Sequence, residues 1–427
     1  MADSSKFQPP RGMRDFYPED MRLRSRIFDA WRAAAEESGF EAYDACVVES
    51  LDLLKRKAGE EIVDQIYHFK DKSNRDLALR PEITPTLARM VAARKGGLSL
   101  PLKWFTIGQC FRYERMTRGR KREHYQWNLD IVGEESVSAE AEVLATATRA
   151  MQRLGLQPDH YRIHYSSRTL LSALLYRLGI PPEHHQATFL ALDKRGKVPD
   201  SAIFELLKAS GITDDGIPAV LRLLEIRTLE EALELLGTDS IAADEINFFL
   251  ACAEAHGILP VLQFNIGVIR GLSYYTGIVF EAFDVQGELR AIFGGGRYAK
   301  LLASIGGADV SAVGLGFGDV VIAEILAERD AAISEKPRKG YHVAAMQTEQ
   351  ILIATRIARA LRAKGHTVNL ALAPVKPRSF FSKADAAAAA HAILVGPDDL
   401  EAGTIRIKNL ENRSETSQNL DEILVSA

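Results

Sequence analysis

Polar and apolar residues alternate along His124-Tyr125-Gln126-Trp127-Asn128-Leu129-Asp130-Ile131, and a period of two predicts a half-buried β-strand. Gln126, Asn128 and Asp130 then share one face, while Trp127, Leu129 and Ile131 point the other way into a core. Upstream, Phe111-Arg112-Tyr113-Glu114-Arg115 reads as the facing strand of a hairpin, with Arg112 and Glu114 on one face. The connection carries Arg115, Arg118, Arg120, Lys121 and Arg122 with Gly119 among them. That is more positive charge than a tight turn needs, and it suits phosphate groups. A hairpin with a merely solvated basic tip is the plain alternative.

Elsewhere the pattern switches period. Ile27, Trp31 and Ala35 recur at helical spacing after Pro18, until Gly39 supplies a stop. Ile66–Phe69, Leu77–Arg80 and Trp104–Ile107 predict further strands, and together with the hairpin they imply a largely antiparallel sheet. From about Ser167 to Gly257 the chain turns Leu-rich and helical, which predicts an inserted α-helical region. Strand signals resume at Val279–Phe283 and Arg290–Phe293. The polar stretch from Arg329 to Gly340 reads as a linker. Beyond it, Tyr341–Met346, Thr367–Leu372 and Ala392–Val395 alternate with the helical Ile351–Lys364, the pattern of a small α/β domain. The Ala386–Ala390 run reads as a helix interior. The expected division is 1–330, with its helical insertion at about 167–257, and 331–427.

Composition narrows the class without naming a function. The chain has 427 residues, 47% hydrophobic and 26% charged, with a formal net charge of −4, so any nucleic-acid surface is local. Cys46, Cys110 and Cys252 are far apart and form no Cys-x-x-Cys pair, which argues against a disulfide framework or a structural zinc. No apolar run approaches the roughly 18 residues of a membrane span. A cytoplasmic protein is expected. The histidines show no zincin spacing and the acids no calcium-loop spacing, so no protein-built metal site is predicted.

Four further segments carry chemistry. Leu79-Arg80-Pro81-Glu82-Ile83-Thr84 leads from a strand into a helix, where Glu82 and Thr84 suit an ammonium group or, more plainly, Thr84 caps the helix. Arg270-Gly271-Leu272-Ser273-Tyr274-Tyr275 places a cation and two phenols before a strand, one phenol to pack and the other to offer its hydroxyl. Gly294-Gly295-Gly296-Arg297-Tyr298 follows a strand as a turn that lets a ligand approach. Gly314-Leu315-Gly316-Phe317-Gly318-Asp319 reads as a glycine-rich strand before a helix. His124, beside the basic loop, is more naturally a hydrogen-bonding residue than an acid or base.

In their order and spacing, these segments together with Gly12-Met13-Arg14-Asp15 resemble class II aminoacyl-tRNA synthetases and, more narrowly, the histidyl-tRNA synthetase family, across nearly the whole chain. Ser382-Lys383-Ala384-Asp385, Leu394-Val395-Gly396 and Ala402-Gly403-Thr404 resemble the family's anticodon-binding domain. The resemblance implies an α/β (α+β) fold: a class II antiparallel-sheet catalytic domain with an inserted helical region, followed by a C-terminal α/β anticodon-binding domain. It implies a homodimer that joins L-histidine to ATP, accompanied by Mg²⁺, and passes the histidyl group to tRNA(His). By position, Arg112 and Arg270 would act at the α-phosphate, with Glu114 at the adenine and Arg120 at the outer phosphates. Glu82, Thr84 and Gln126 would hold the amino group, and Asp130 and Tyr275, with Tyr274 beside it, would meet the imidazole.

Departures accompany the likeness. Val321 stands where the family commonly has the arginine of Gly-Leu-Glu-Arg, Cys46 where it has proline, Ser273 where it has aspartate, and Thr117 where it has glutamine. The lost arginine points either to a compensating cation or to a noncatalytic paralogue acting as a histidine sensor or RNA-binding module. A class II synthetase for another amino acid is the third reading. The retained Arg112, Arg270, Glu82, Gln126 and Tyr275 favour the histidine enzyme.

Overall fold

The computed structural model describes residues 7–55, 63–94, 97–195, 198–237, 240–269, 275–287, 289–298, 303, 310–329 and 336–425. Chain contacts divide it into two units, Met1–Ile333 and Ser334–Ala427.

The first unit is built on one eight-stranded sheet. Its strands are β1 (Glu41–Ala42), β5 (Leu102–Phe111), β6 (Glu123–Val132), β11 (Ala312–Gly318), β10 (Phe293–Arg297), β9 (Ile278–Asp284), β7 (Tyr161–Ser167) and β8 (Leu262–Phe264), in that spatial order. Only the edge pairs β1–β5 and β7–β8 run parallel, so the sheet is antiparallel through its centre. A separate three-stranded sheet joins β2 (Val48–Ser50), β4 (Asp76–Leu79) and β3 (His68–Lys70).

Each face of the large sheet follows from its alternation. Trp127, Leu129, Phe280, Leu315 and Phe317 point to the rear, almost fully buried with Trp31. Trp31 belongs to the Pro18–Glu37 helix, which opens on a proline and whose Asp20 carboxylate accepts the Tyr17 N–H at 3.0 Å. Gly39, at φ +75, closes the turn after it, a conformation that costs any residue with a Cβ. Trp31 stacks on Trp127 at 5.9 Å and meets Phe317 at 5.1 Å. Each such fully buried ring is worth ~2–3 kcal/mol in transfer free energy, which fixes the strand register. Among the described residues, six helices lie within 168–255, between β7 and β8.

The second unit orders its strands β13 (Val368–Leu370), β12 (Tyr341–Ala345), β14 (His391–Val395), β15 (Thr404–Asn409) and β16 (Glu415–Asn419). The first three are parallel and the last two antiparallel, with the Ile351–Ala363 helix packed on the apolar core.

Local readings differ at four points. The hairpin strand stops at Phe111, because Arg112 closes the ladder on the Arg122 carbonyl and Tyr113 N–H turns to Gln65. Gly294–Arg297 is no turn: it is the buried strand β10, and the expected strand residues 290–292 precede it. The alanine run ends a helix rather than filling one, since the Pro377–Ala386 helix stops there and Ala388 has φ 50. Thr84 is the first helical residue of Thr84–Ala93 and no side chain caps that helix.

Candidate active site

The front face of the sheet is a polar line on a floor of glycine. His124, Gln126, Asn128 and Asp130 follow one another along β6. Gln126 Nε2 donates to Asn128 Oδ1 at 2.6 Å, and His124 Nε2 stands 3.3 Å from Gln126 Oε1. Because that oxygen can only accept, Nε2 carries the proton. Burial, then the charge of Arg112, pushes the His124 imidazole down to about 3, so it is neutral and serves to orient Gln126 rather than to carry protons.

Across from these residues lie Gly314 opposite Asp130, Gly316 opposite Asn128 and Gly318 opposite Gln126, with Gly108 flanking Gln126 on β5. A Cβ at Gly314 would sit 2.0 Å from Asp130 Oδ1, and one at Gly316 2.8 Å from Gln126 Nε2. One at Gly295, turned to the rear, would sit 2.1 Å from the Gly314 carbonyl oxygen. Glycine here is a steric requirement that leaves the polar line uncovered.

Asp130 ends the line. Tyr298 OH donates to its Oδ1 at 2.7 Å, with both side chains buried. Its Oδ2 is buried and has no hydrogen-bond partner among the described residues. Burial raises the carboxyl to about 7, against the hydrogen bonds from Tyr298 and Asn128 that lower it. Tyr298 therefore matters as much as Asp130. The sequence pointed to it only as the tail of a glycine motif, because its partner lies 168 positions away. Arg297 turns from the site into a buried two-bond pair with Glu140, at 2.7 and 2.5 Å.

Glu82 is buried just before the Thr84–Ala93 helix, and Thr84 is half-buried at its start. The buried Arg80 sets this junction, donating from Nε to the Gln109 carbonyl and from Nη1 to the Ala45 carbonyl, each at 2.9 Å. Gly108 makes the room, since a Cβ there would meet Arg80 Nη2 at 2.4 Å. Arg112 Nε donates to the Pro81 carbonyl at 2.9 Å, tying the loop to the Glu82 segment.

The basic loop is held by its own partners. Arg120 pairs with the buried Glu114, and Arg118 with Glu324, at 3.4 Å, and Glu328. Arg122 lies 3.8 Å over the Tyr113 ring. Gly119 N–H donates to Glu324 Oε1 at 3.0 Å, and the buried Val321 packs beside Gly119. Behind the hairpin, Arg14 bridges Glu123 and Asp319 at 2.5 and 3.0 Å. That cation lies on the rear face and so does not replace an arginine at position 321.

Tyr275 is buried beside Tyr298 and Val279. Arg168, itself buried, donates to the Tyr275 carbonyl at 2.9 Å and to the Ile269 carbonyl at 3.2 Å. Arg270 and Tyr274 lie outside the described residues. No group of three or more His, Cys, Asp or Glu among the described residues could hold a metal ion.

The sequence pattern of the family described as Histidyl-tRNA synthetase matches residues 12–318, and that of Anticodon binding domain matches residues 339–425. A chloroplastic/mitochondrial histidine–tRNA ligase of Arabidopsis thaliana is 42% identical over 415 residues, 97% of this chain and 85% of the relative. A histidine–tRNA ligase of Opitutus terrae is 38% identical over 416 residues, 96% of this chain and 95% of that one. Among solved structures, a histidyl-tRNA synthetase from Nostoc sp. PCC 7120 superposes with a TM-score of 0.78 at 21% identity, covering 99% of both chains, a likeness of fold.

Proposed function

The chain belongs to the histidyl-tRNA synthetase family, and on that premise we propose that the front face of β6 receives L-histidine while the basic loop receives ATP. The protein is a class II synthetase that ligates histidine to tRNA. The noncatalytic alternative recedes, because the relatives it matches over nearly its whole length are ligases.

One observation carries the assignment of the pocket: Asp130 Oδ2 is buried without a hydrogen-bond partner among the described residues. Leaving a buried acceptor empty costs on the order of 1–3 kcal/mol, and an imidazole N–H from the substrate fills it. Tyr298 fixes the carboxylate, and Tyr275 meets the other imidazole nitrogen. Glu82, Thr84 and Gln126 take the ammonium group, with Gln126 held in one orientation by His124 and Asn128. Tyr274 is proposed beside them from sequence alone.

The histidine carboxylate attacks the α-phosphorus of ATP. One P–O bond forms, the bond to the bridging oxygen of the β-phosphate breaks, and pyrophosphate leaves. Arg112 and Arg270 stabilise the charge that develops on the α-phosphoryl oxygens, so the reaction proceeds by positioning and electrostatics without a protein nucleophile. Glu114 and Arg120 exchange their mutual pairing for adenine and phosphate contacts. A Mg²⁺ ion carried with the triphosphate would offset charge on the outer phosphates, beside Arg120 of the basic loop; among the described residues no group of three or more His, Cys, Asp or Glu would hold it. The 3′-terminal adenosine of tRNA(His) then takes the histidyl group and AMP is released.

Residues 1–330 are proposed as the catalytic domain, with the helical insertion at about 167–257, and 331–427 as the anticodon-binding domain. The working species is proposed as a homodimer. A reducing, cytoplasmic setting suits the three free thiols, and no described helix is long and apolar enough to cross a membrane. Amino-acid-dependent ATP–pyrophosphate exchange tests the reading. Exchange with L-histidine alone among the standard amino acids is expected, and none with histidine in the presence of Mg²⁺ sinks it.

A further inference from the structure

A buried arginine that no motif marks joins the helical insertion to the segment carrying Tyr275. Arg168 opens the Arg168–Arg177 helix, the first of the insertion, directly after β7. Ser167 caps that helix by accepting the Leu170 N–H at 3.2 Å. Arg168 N–H still continues the sheet, donating to the Gly277 carbonyl at 3.0 Å. The residue therefore belongs to the sheet and to the insertion at once.

Its side chain is buried, at 3% exposure. Nη1 donates to the Tyr275 carbonyl at 2.9 Å, and Nε and Nη2 together donate to the Ile269 carbonyl at 3.3 and 3.2 Å. In sequence those two carbonyls bracket Arg270 and Tyr274. A guanidinium holds its donors in a rigid planar fork, so one group sets the separation of Ile269 and Tyr275. Burying a charge is costly unless it is hydrogen-bonded. A neutral donor would satisfy either carbonyl at lower cost, whereas the fork spans both.

The same guanidinium also meets the insertion. Phe189 presents its ring at 5.2 Å, and Gln186 Oε1 accepts from Nη1 at 3.4 Å. These residues are three apart on the Pro182–Asp193 helix and share a face. Glu245, on the Ile241–Ala255 helix, accepts from the hydroxyls on either side of Arg168, Ser167 Oγ at 2.9 Å and Thr169 Oγ1 at 3.2 Å. Three insertion helices thus converge on the residue that holds Tyr275.

We propose that Arg168 is a positioning residue of the histidine pocket, fixing Tyr275 and making its contact with the imidazole depend on the packing of the helical insertion. The inference rests on the histidine reading above.

The test is ATP–pyrophosphate exchange by the full chain, with KM for histidine and for ATP measured separately on Arg168→Lys, Arg168→Met and Phe189→Leu, and thermal melts run beside them. Arg168→Lys keeps the charge but loses the fork, and its KM for histidine rises about tenfold, the scale of one charge-assisted hydrogen bond. Arg168→Met fills similar space without donors and raises it about 10²-fold, as a misplaced binding group does. Phe189→Leu stays apolar and removes only the ring face, and the KM for histidine rises about threefold, the scale of a cation–π contact. The KM for ATP stays at the wild-type value in all three. A merely structural role predicts lower melting temperatures with both KM values unchanged, and that result overturns the proposal, as does an equal rise in both. Phe189→Leu with the wild-type KM for histidine overturns the dependence on the insertion. If Arg168→Met does not fold, Arg168→Lys and Phe189→Leu decide the matter. A wild type that activates no histidine overturns the histidine reading and this proposal with it, whereas an active wild type with an indifferent Arg168→Lys overturns this one alone.

Discussion

The two faces of β6 are written in the same ten residues and obey different rules. Toward the rear, Trp127, Leu129 and Ile131 meet Trp31 and Phe317 in a close-packed layer, where each side chain is held by shape and any apolar group of similar volume serves. Toward the front, Gln126, Asn128 and Asp130 face glycines on β11, with one more, Gly108, beside Gln126 on β5, and each polar atom must be matched to a particular partner. The rear contributes stability with little chemistry. The front accepts desolvated polar groups, a cost that the rear offsets and the ligand removes.

That contrast can be broken from either side. Trp127→Ala empties a fully buried indole site, and 3–5 kcal/mol of unfolding free energy is the expected loss. Denaturant titration should find it, while histidine-dependent exchange per folded molecule stays near wild type. A collapse of exchange without loss of stability would mean that the rear face also sets the site. Gly314→Ala is the reciprocal change. Its Cβ would overlap Asp130 Oδ1 at 2.0 Å, so the carboxylate must swing away, and a displacement of about 1 Å costs roughly 10²-fold in kcat/KM. Exchange kinetics check it, with the KM for histidine moving more than that for ATP. An unchanged KM for histidine would remove Asp130 from the pocket.

The same contrast explains what the sequence could disclose. The rear face was legible because burial imposes a period, and the period alone located Trp127, Leu129 and Trp31; the strand order around them came only with the fold. Gln126 and Asp130 were legible as residues of the opposite face, but not their partners. Tyr298 reaches Asp130 from 168 positions away, and no local pattern links them. Gly294–Arg297 looked like a turn because glycine is read as flexibility, whereas here it is a strand thinned to admit neighbours on both faces. Glu324 and Glu328 were invisible for another reason: on a helix surface they resemble solvated charge, and only the fold brings them to Arg118.

The smallest expected effect is the most discriminating. Burial raises Asp130 to about 7, against an ordinary carboxylate near 4. Between those values the folded chain holds a proton that the unfolded chain has released. This contribution to stability is thus fully present below about pH 4 and is lost as pH rises through 7. Binding runs the other way, because only the ionised carboxylate accepts the imidazole N–H at full strength. From pH 6 to 8 the ionised fraction rises about tenfold for a group at about 7, and the KM for histidine should fall by a similar factor. The ring of free histidine titrates near 6.5 and loses its charge over the same range, so Asp130→Asn supplies the control. In that variant only the ligand's own ionisation remains, the KM profile flattens, and unfolding free energy loses its downward slope between pH 4 and 7. If wild type and Asp130→Asn share one profile, the front face of β6 does not read the imidazole through Asp130, and the division between its two faces is one of packing alone.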